Sequence, residues 1–498
     1  MKKITFPLAV LLLLSLPFVA LAAAGPTLIG RVAEKKLANG MTLLVLKRPG
    51  APVVSLQMSF KVGGVDEASG RTGMAHLLEH MMFKGTKTLG TRDFAAEEPL
   101  LKEIEKVGGE LDSLKRKGSG DRERLESLQK RLGELQKEEG GLVVKGEIDF
   151  LYARNGGVGL NATTSSDMTS YFVSLPSNRL ELWAAIESDR MREPVLREYF
   201  TERAVVAEER RERNETQAGG MLYLALLNTA FGAHPYRNPV IGWPSDLDHL
   251  DLAATREFYN SHYGPDNAVV AAVGDVDPEG FFALVERYFG DIPARGRDFD
   301  PPTLEPAQTG PKKVVVHFAS EPEAVLGYHK PTLPSRDDYI MDIVDGILSS
   351  GGAARLVNEL VYKKKILASV SSNNGLPGAR YDNLFAVFFS PAQGVTVDEA
   401  ANAVRGELKR LTTDPPTREE LDRVLAQLEA ELVKGLVSDS AIARRLAFFQ
   451  VVAGDWRYIE KLSEVLATVT PQEVAAAAAR YFTDDNETFA AVVAGGAK

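Results

Sequence analysis

An α+β fold built of two similar halves is what the 498-residue chain predicts, on three observations. Short apolar runs of strand length alternate with amphipathic runs of helix length in both the first and the last third of the sequence. The stretch from Tyr259 to Gly274 recurs at a constant offset as Ala478 to Val493, with Asp266-Asn267 on Asp485-Asn486, Ala271-Ala272 on Ala490-Ala491 and Val273 on Val492, which points to an internal repeat. Between Gly290 and Lys312, Pro293, Pro301, Pro302, Pro306 and Pro311 cluster as in a linker between two domains. With 44% apolar and 25% charged residues the chain is globular, and its net charge of −10 argues against nucleic acid as a partner. Because there is no cysteine, disulfides, thiolate metal sites and cysteine nucleophiles are excluded.

Taken in order, the chain begins with Lys2 and Lys3, an apolar run from Ile4 to about Ala20, and the small-residue pattern Ala20-Leu21-Ala22. Residues 1–24 therefore read as a secretory signal peptide, giving a mature protein outside the cytoplasm, periplasmic in a Gram-negative source and without a stable membrane anchor. From Leu28 to Phe60, apolar runs flank Asn39-Gly40, a dipeptide that favours a two-residue hairpin between antiparallel strands. An apolar helix is expected over 73–84. Residues 97–139 then change character, for half of them are charged while Leu100, Ile104, Val107, Leu111 and Leu114, and again Leu125, Leu128, Leu132 and Leu135, recur at steps of three and four. This pattern predicts two amphipathic helices turning at Gly118-Ser119-Gly120, an inserted hairpin serving either as a solvated spacer or as an arm for a partner. The first domain is expected over 25–292, the linker over 293–311 and the second domain over 312–498. The second domain ends with a helix that starts at the capping box Thr470 to Glu473, with Pro471 at its first turn.

Chemistry concentrates in the helix at 73–84. Apart from His76, Glu79 and His80 it is almost wholly apolar, and a helix apolar on every side is buried. Burying two imidazoles and a carboxylate without partners costs several kcal/mol in total, so something must satisfy them. His76 and His80 are four residues apart and project from one face, as two nitrogen ligands of one zinc ion would, or as core histidines bonded to backbone would. Glu79 flanks that face and is placed to act as a general base on a metal-activated water. His234, His249, His262, His317 and His329 are isolated and read as structural or surface residues. Gly351-Gly352 lacks the Gly-Lys-Ser/Thr of a phosphate loop.

His76-x-x-Glu79-His80 resembles the inverted zinc motif of the pitrilysin, insulinase and mitochondrial processing peptidase family. The resemblance extends through Gly63-Gly64 and Asp66-Glu67, Gly157 to Thr163, Tyr259 to Gly274, and Ser349 to Leu356. It implies two halves, each an antiparallel sheet with helices on one face, facing each other as a clamshell, and a zinc-dependent endopeptidase with one Zn2+ per chain. The family's third ligand lies in a Glu-Arg-x-Val-Val-x-x-Glu pattern, here Glu202 to Glu209. The resemblance thus implies Glu209 as ligand and Glu202 as its companion; the neighbouring Glu208 competes as ligand, and Arg210, Arg211, Glu212 and Arg213 read as a solvated charged face. Residues seven apart share a helical face, and a His2Glu set leaves zinc one open position for water. Gly159, Asn161, Ala162 and Thr163 match the family's edge strand, which pairs with extended, unfolded peptide.

The sequence departs from the family twice. His80 and Glu209 lie farther apart than is usual, an excess that the 97–139 hairpin accounts for. In the second half, the arginine and tyrosine that hold the substrate carbonyl in active single-chain members are replaced by Val361 and Ala368. Neither can donate a hydrogen bond to a developing oxyanion, a loss typically of roughly 10²- to 10³-fold in rate. The resemblance to two-component relatives then implies a heterodimer, this chain supplying zinc and a homologous partner the arginine and tyrosine. The alternatives are unaided activity through Tyr362 or a nearby lysine, and a non-catalytic binding subunit that keeps the fold.

Overall fold

The structure, a computed structural model, describes residues 28–118, 121–296 and 303–495. The expected signal peptide, part of the expected linker and the tip of the inserted hairpin lie outside the described residues.

Two mixed sheets organise the chain. The first contains β1 (Ala33–Lys36), β2 (Thr42–Lys47), β3 (Val53–Phe60), β4 (Val158–Thr164), β5 (Thr169–Pro176) and β6 (Ala268–Gly274), in the order β1-β2-β6-β3-β5-β4. The second contains β7 (Lys312–Phe318), β8 (Glu323–Lys330), β9 (Leu367–Leu376), β10 (Asn383–Pro391) and β11 (Glu487–Ala494), in the order β7-β11-β8-β10-β9. Without β1 the two orders are the same. The offset of the sequence repeat carries the helix Leu252–His262 onto Pro471–Tyr481 and the turn Pro265–Asn267 onto Asp484–Asn486. Even the cap repeats. Asn267 Nδ2 donates to the carbonyls of His262 (2.8 Å) and Lys61 (3.1 Å), and Asn486 Nδ2 to those of Tyr481 (2.8 Å) and His329 (2.9 Å).

Three expectations are corrected. Each sheet contains one parallel pair, β2 with β6 and β7 with β11, because the closing strand of each half arrives after a helix that reverses the chain and so enters alongside the first long strand. The Asn39-Gly40 turn is a three-residue loop: Leu37 N–H donates to Met41 O (2.9 Å), Gly40 takes a φ of +94°, and the Asn39 side chain donates to Phe289 O (2.8 Å) and Ile292 O (3.1 Å). A Cβ at Gly40 would come within 2.8 Å of Asp266 Cα, so only glycine fits there.

Helices cover both faces of each sheet, not one. The inner face of the first sheet, with Leu56, Met58 and Phe60, packs on Leu77, Leu78, Met81 and Trp183 of its own half. Its outer face, with Leu44, Leu46, Val269, Ala271 and Val273, packs on Ile442, Leu446 and Val451 of the helix Asp439–Val452, which belongs to the second half. The exchange is reciprocal. Leu222, Leu226 and Leu227 of the helix Ala218–Ala230 pack on Val325, Leu384, Ala386, Ala490 and Val492 of the second sheet. All seven residues of β6 are buried, as continuous apolar runs require when a strand is sandwiched between two layers.

Candidate active site

The histidines ride on the helix Met74–Met81, which a 3₁₀ turn extends to Lys84. Glu67 fixes its start, accepting the N–H groups of Gly73 (2.8 Å) and Ala75 (2.7 Å). Burial pushes the Glu67 carboxyl up to about 8 against these bonds. Gly73 holds a φ of +88°, and a Cβ there would lie 2.7 Å from Ile241 O, so the helix can begin at this point only with glycine. Asp66, one residue before Glu67, accepts Gly63 N–H (2.9 Å) and both terminal nitrogens of Arg380 from the second half (2.8 and 3.1 Å).

Against this helix lies the helix Tyr199–Asn214. Glu209 Oε2 stands 3.9 Å from His76 Nε2 and 3.6 Å from His80 Nε2. Both separations exceed ordinary hydrogen-bond lengths and approach the edge of a tetrahedron of ligands around zinc, roughly 3.3–3.4 Å for bonds of about 2.0–2.1 Å. Among the described residues, His76, His80 and Glu209 form the one group of His, Asp or Glu side chains compact enough to hold a metal ion. The donor set fits zinc. His76, 8% exposed, is held down to about 3 by burial first and by His80 and Arg213 next, so its ring is neutral with a lone pair free. Its Nδ1 is buried without a partner, and packing alone orients the ring.

His80 is oriented differently. Its Nδ1 lies 3.4 Å from Glu202 Oε2, and that contact raises the imidazole above its usual range while drawing the Glu202 carboxyl down to about 2. Lys84 holds the other Glu202 oxygen at 2.6 Å and reaches Glu198 at 3.0 Å. Glu79 accepts the Thr164 hydroxyl at 2.6 Å, and burial raises its carboxyl above the usual range against that bond. Thr164 ends β4, which has a strand neighbour, β5, on one side only. Gly159, Asn161 and Thr163 are exposed along this edge strand and Ala162 is buried towards the core. Glu208 points away, exposed and paired with Arg211 at 2.5 Å.

Sequence reasoning missed four contributors. Thr164 is the next residue after the predicted edge set. Lys84 and Glu67 flank the motif. Arg213, expected on a solvated face, places Nη2 2.8 Å from Glu209 Oε1, and its i+4 spacing from Glu209 was the available signal. Arg210, from the same expected face, is buried and donates to Gly242 O (2.8 Å) and to Glu215, because this side of the helix packs inward. Arg211 and Glu212 are exposed as expected.

The second half preserves the position but not the donors. Ladder pairing carries Thr164 through Thr169 and Phe60 to Ala268, and Asn374 through Phe385 and Tyr328 to Glu487, the residue that the repeat places on Ala268. Asn374 Nδ2 donates to Asp342 at 2.8 Å, so Asp342 on the helix Arg336–Ser349 stands where Glu79 stands. The positions matching His76 and His80 then hold Tyr339 and Ile343. Val361 packs against the core of this half, while Ala368 is exposed on β9.

Comparison with known proteins finds two family models along the chain. Residues 42–119 and 147–243 match the family model described as insulinase (peptidase family M16), and residues 249–428 match that of the peptidase M16 inactive domain. The zinc protease PqqE of Helicobacter pylori is 27% identical over 442 residues, covering 88% of this chain and 86% of the relative. The crystal structure of a protease from Helicobacter pylori superposes with a TM-score of 0.77 at 26% identity, over 93% of this chain and 99% of that one. The periplasmic protease PqqL of Escherichia coli shares the fold at 19% identity and a TM-score of 0.66, over 93% of this chain but 48% of PqqL. Matched in succession by two models of one family, the chain is a homologue of the zinc proteases of peptidase family M16, the insulinase family.

Proposed function

We propose that the protein is a zinc metalloendopeptidase acting on unfolded peptides, with His76, His80 and Glu209 as the zinc ligands and Glu79 as general base. The convergence of both Nε2 atoms and one Glu209 oxygen beside a carboxylate of raised pKa carries this reading. A zinc ion held there would supply Lewis acidity to a water and to the scissile carbonyl. Glu79 takes the proton of the attacking water and delivers it to the leaving amine, with the Thr164 hydroxyl fixing its rotamer. Glu202 holds the His80 ring through Nδ1, and Lys84 keeps Glu202 ionised. The free edge of β4, with Gly159, Asn161, Ala162 and Thr163, pairs with the extended substrate backbone, which folded proteins do not offer.

The chain acts as the zinc subunit of a heterodimer, secreted to the periplasm by its first 24 residues. Val361 and Ala368 supply no oxyanion donor, and 93% of this chain corresponds to 48% of PqqL, as expected if a second unit of similar size completes the catalytic chamber. Among the described residues no helix is long and apolar enough to cross a membrane. The test is cleavage of a quenched, unstructured peptide by the zinc-loaded mature chain, alone and with a homologous arginine- and tyrosine-bearing partner. Chelator-sensitive cleavage only with the partner supports the split site, and Glu79→Gln is expected to lower it by roughly 10²- to 10⁴-fold with zinc content unchanged. Cleavage by the chain alone removes the need for a partner. No cleavage of varied peptides by the complex favours the binding-subunit reading.

A further inference from the structure

The hairpin meets the metal-ligand helix through buried side chains, which a spacer does not require. Its helices, Phe94–Arg116 and Arg122–Gly140, bury a shared seam of Ile104, Val107, Leu111, Leu128, Leu132 and Leu135. The insulinase model matches the first helix, so that of the expected 97–139 insertion it leaves unmatched only the part from residue 120 on, within a gap at 120–146. A solvated spacer would stop at that seam. Here the hairpin also spans the outer side of the Tyr199–Asn214 helix through three kinds of contact. Glu97, 0% exposed, accepts Arg197 Nε (2.6 Å) and Nη2 (3.1 Å), and Arg197, equally buried, donates as well to the carbonyls of Lys84 (2.9 Å), Thr86 and Leu89 (3.1 Å), in the loop leaving the histidine helix. Gly108 lies so close to Phe200 that a Cβ would sit 2.1 Å from its ring. Asp112, 3% exposed, accepts both terminal nitrogens of Arg203 at 2.7 and 2.9 Å.

Each contact lies near the site. Arg197, two residues before the helix, and Arg203, in its second turn, bracket Glu198 and Glu202, the two partners of Lys84, and Glu202 reaches His80. Glu202 and Glu209, seven residues apart, share the face of this helix that turns to the histidines. We infer that the hairpin is the outer brace of the metal centre, and that Glu97 and Asp112 are positioning residues which, through Arg197 and Arg203, fix the rotation of the helix bearing Glu202 and Glu209 and so set the affinity for zinc. The inference rests on the proposed zinc reading. A roll of about 20° moves a side-chain atom some 5–6 Å from a helix axis by roughly 2 Å. Zinc bonds tolerate only about 0.2 Å, so an unbraced helix would hold Glu209 outside binding range for part of the time.

The test is a double-mutant cycle of Asp112→Asn and Arg203→Gln in the mature full-length chain. It is read in the zinc dissociation constant from chelator competition and in amide hydrogen exchange across residues 199–214 of the zinc-free protein. Each single variant is expected to weaken zinc about tenfold and to speed exchange in that helix, the double variant to be no weaker than either single one, and peptide turnover to return at saturating zinc. Arg124→Ala, which breaks the exposed pair with Glu110 near the hairpin tip, is expected to change neither quantity. Gln136→Ala, which removes only the Thr201 contact, is a milder probe should Asp112→Asn fold poorly, with a smaller shift in the same direction. Zinc constants within twofold of the parent, or additive effects in the cycle, overturn the brace. A parent chain that binds no zinc sinks the underlying reading instead, and the exchange measurement still reports whether the hairpin orders the helix.

Discussion

At Glu209 one carboxylate oxygen faces the two imidazoles while the other is held by Arg213 at 2.8 Å, so the guanidinium fixes the rotamer of the proposed third ligand from the solvent side. Arg213→Ala is expected to weaken zinc roughly tenfold in chelator competition, and Arg213→Lys to recover part of the loss, because a point charge replaces a planar fork. In the second half the Glu79 counterpart shows the opposite arrangement, a half-buried acid without a metal-ligand histidine beside it. Burial, more than the neighbouring Asp338, pushes Asp342 up from 3.8 to about 7. A carboxyl whose folded pKa exceeds its unfolded value stabilises the fold fully below the unfolded value and loses that contribution as pH rises through the folded one. Stability should therefore fall between about pH 4 and pH 7, and Asp342→Asn should be more stable than the parent at pH 8, on the order of 2 kcal/mol, with the advantage vanishing towards pH 4. Denaturant midpoints of both proteins across that range check it, and an Asp342→Asn midpoint that follows the parent's at every pH would refute it. His76, Glu79 and His80 were legible because three polar residues in an apolar helix admit few explanations. Arg210 was not, because in the run Arg210 to Arg213 the side chain that turns inward is decided by packing that the sequence pattern does not contain.

Among the elements, the helix Asp439–Val452 does what no local pattern announces, covering a sheet that belongs to the other half. Leu446 is fully buried between Leu44, Val269 and their neighbours. Truncating it to alanine removes buried methyl groups and leaves a cavity, for an expected loss of about 2–5 kcal/mol. Guanidinium unfolding should show the midpoint falling with an unchanged slope. A loss no larger than that of an ordinary surface substitution would mean that the interface collapses around the gap or contributes little. The internal repeat was visible because turn and cap residues such as Asn267 and Asn486 perform the same backbone task twice. The parallel pairing of β2 with β6 and the exchange of helices were not. An apolar run such as Ala268 to Gly274 says that a strand is buried on both faces, and leaves open the direction of its neighbour and the source of the second layer.

The whole molecule depends on that exchange, and it makes the proposed domain division, residues 25–292 and 312–498, a question of stability as well as of boundaries. If the first half is produced alone, Leu44, Leu46, Val269, Ala271 and Val273 lose the helix that covers them, and the apolar side of Ala218–Ala230 loses the second sheet. Both faces then meet water as contiguous apolar patches of a kind that soluble monomers rarely tolerate. The buried pairing of Arg380 with Asp66 would be cut as well, exposing the segment that leads into Glu67 and the start of the histidine helix. The expected outcome is that residues 25–292 alone self-associate, bind a hydrophobic dye and hold zinc more weakly than the full chain, whereas co-production with residues 312–498 restores a one-to-one complex with the zinc affinity of the intact protein. Size-exclusion chromatography with light scattering, together with zinc competition, reads both points. A monomeric first half with undiminished zinc affinity would show that the metal centre is built by one half alone. The exchanged helices would then serve to hold the two halves of the chain together, and the second half would be free to act chiefly as the surface on which a partner assembles.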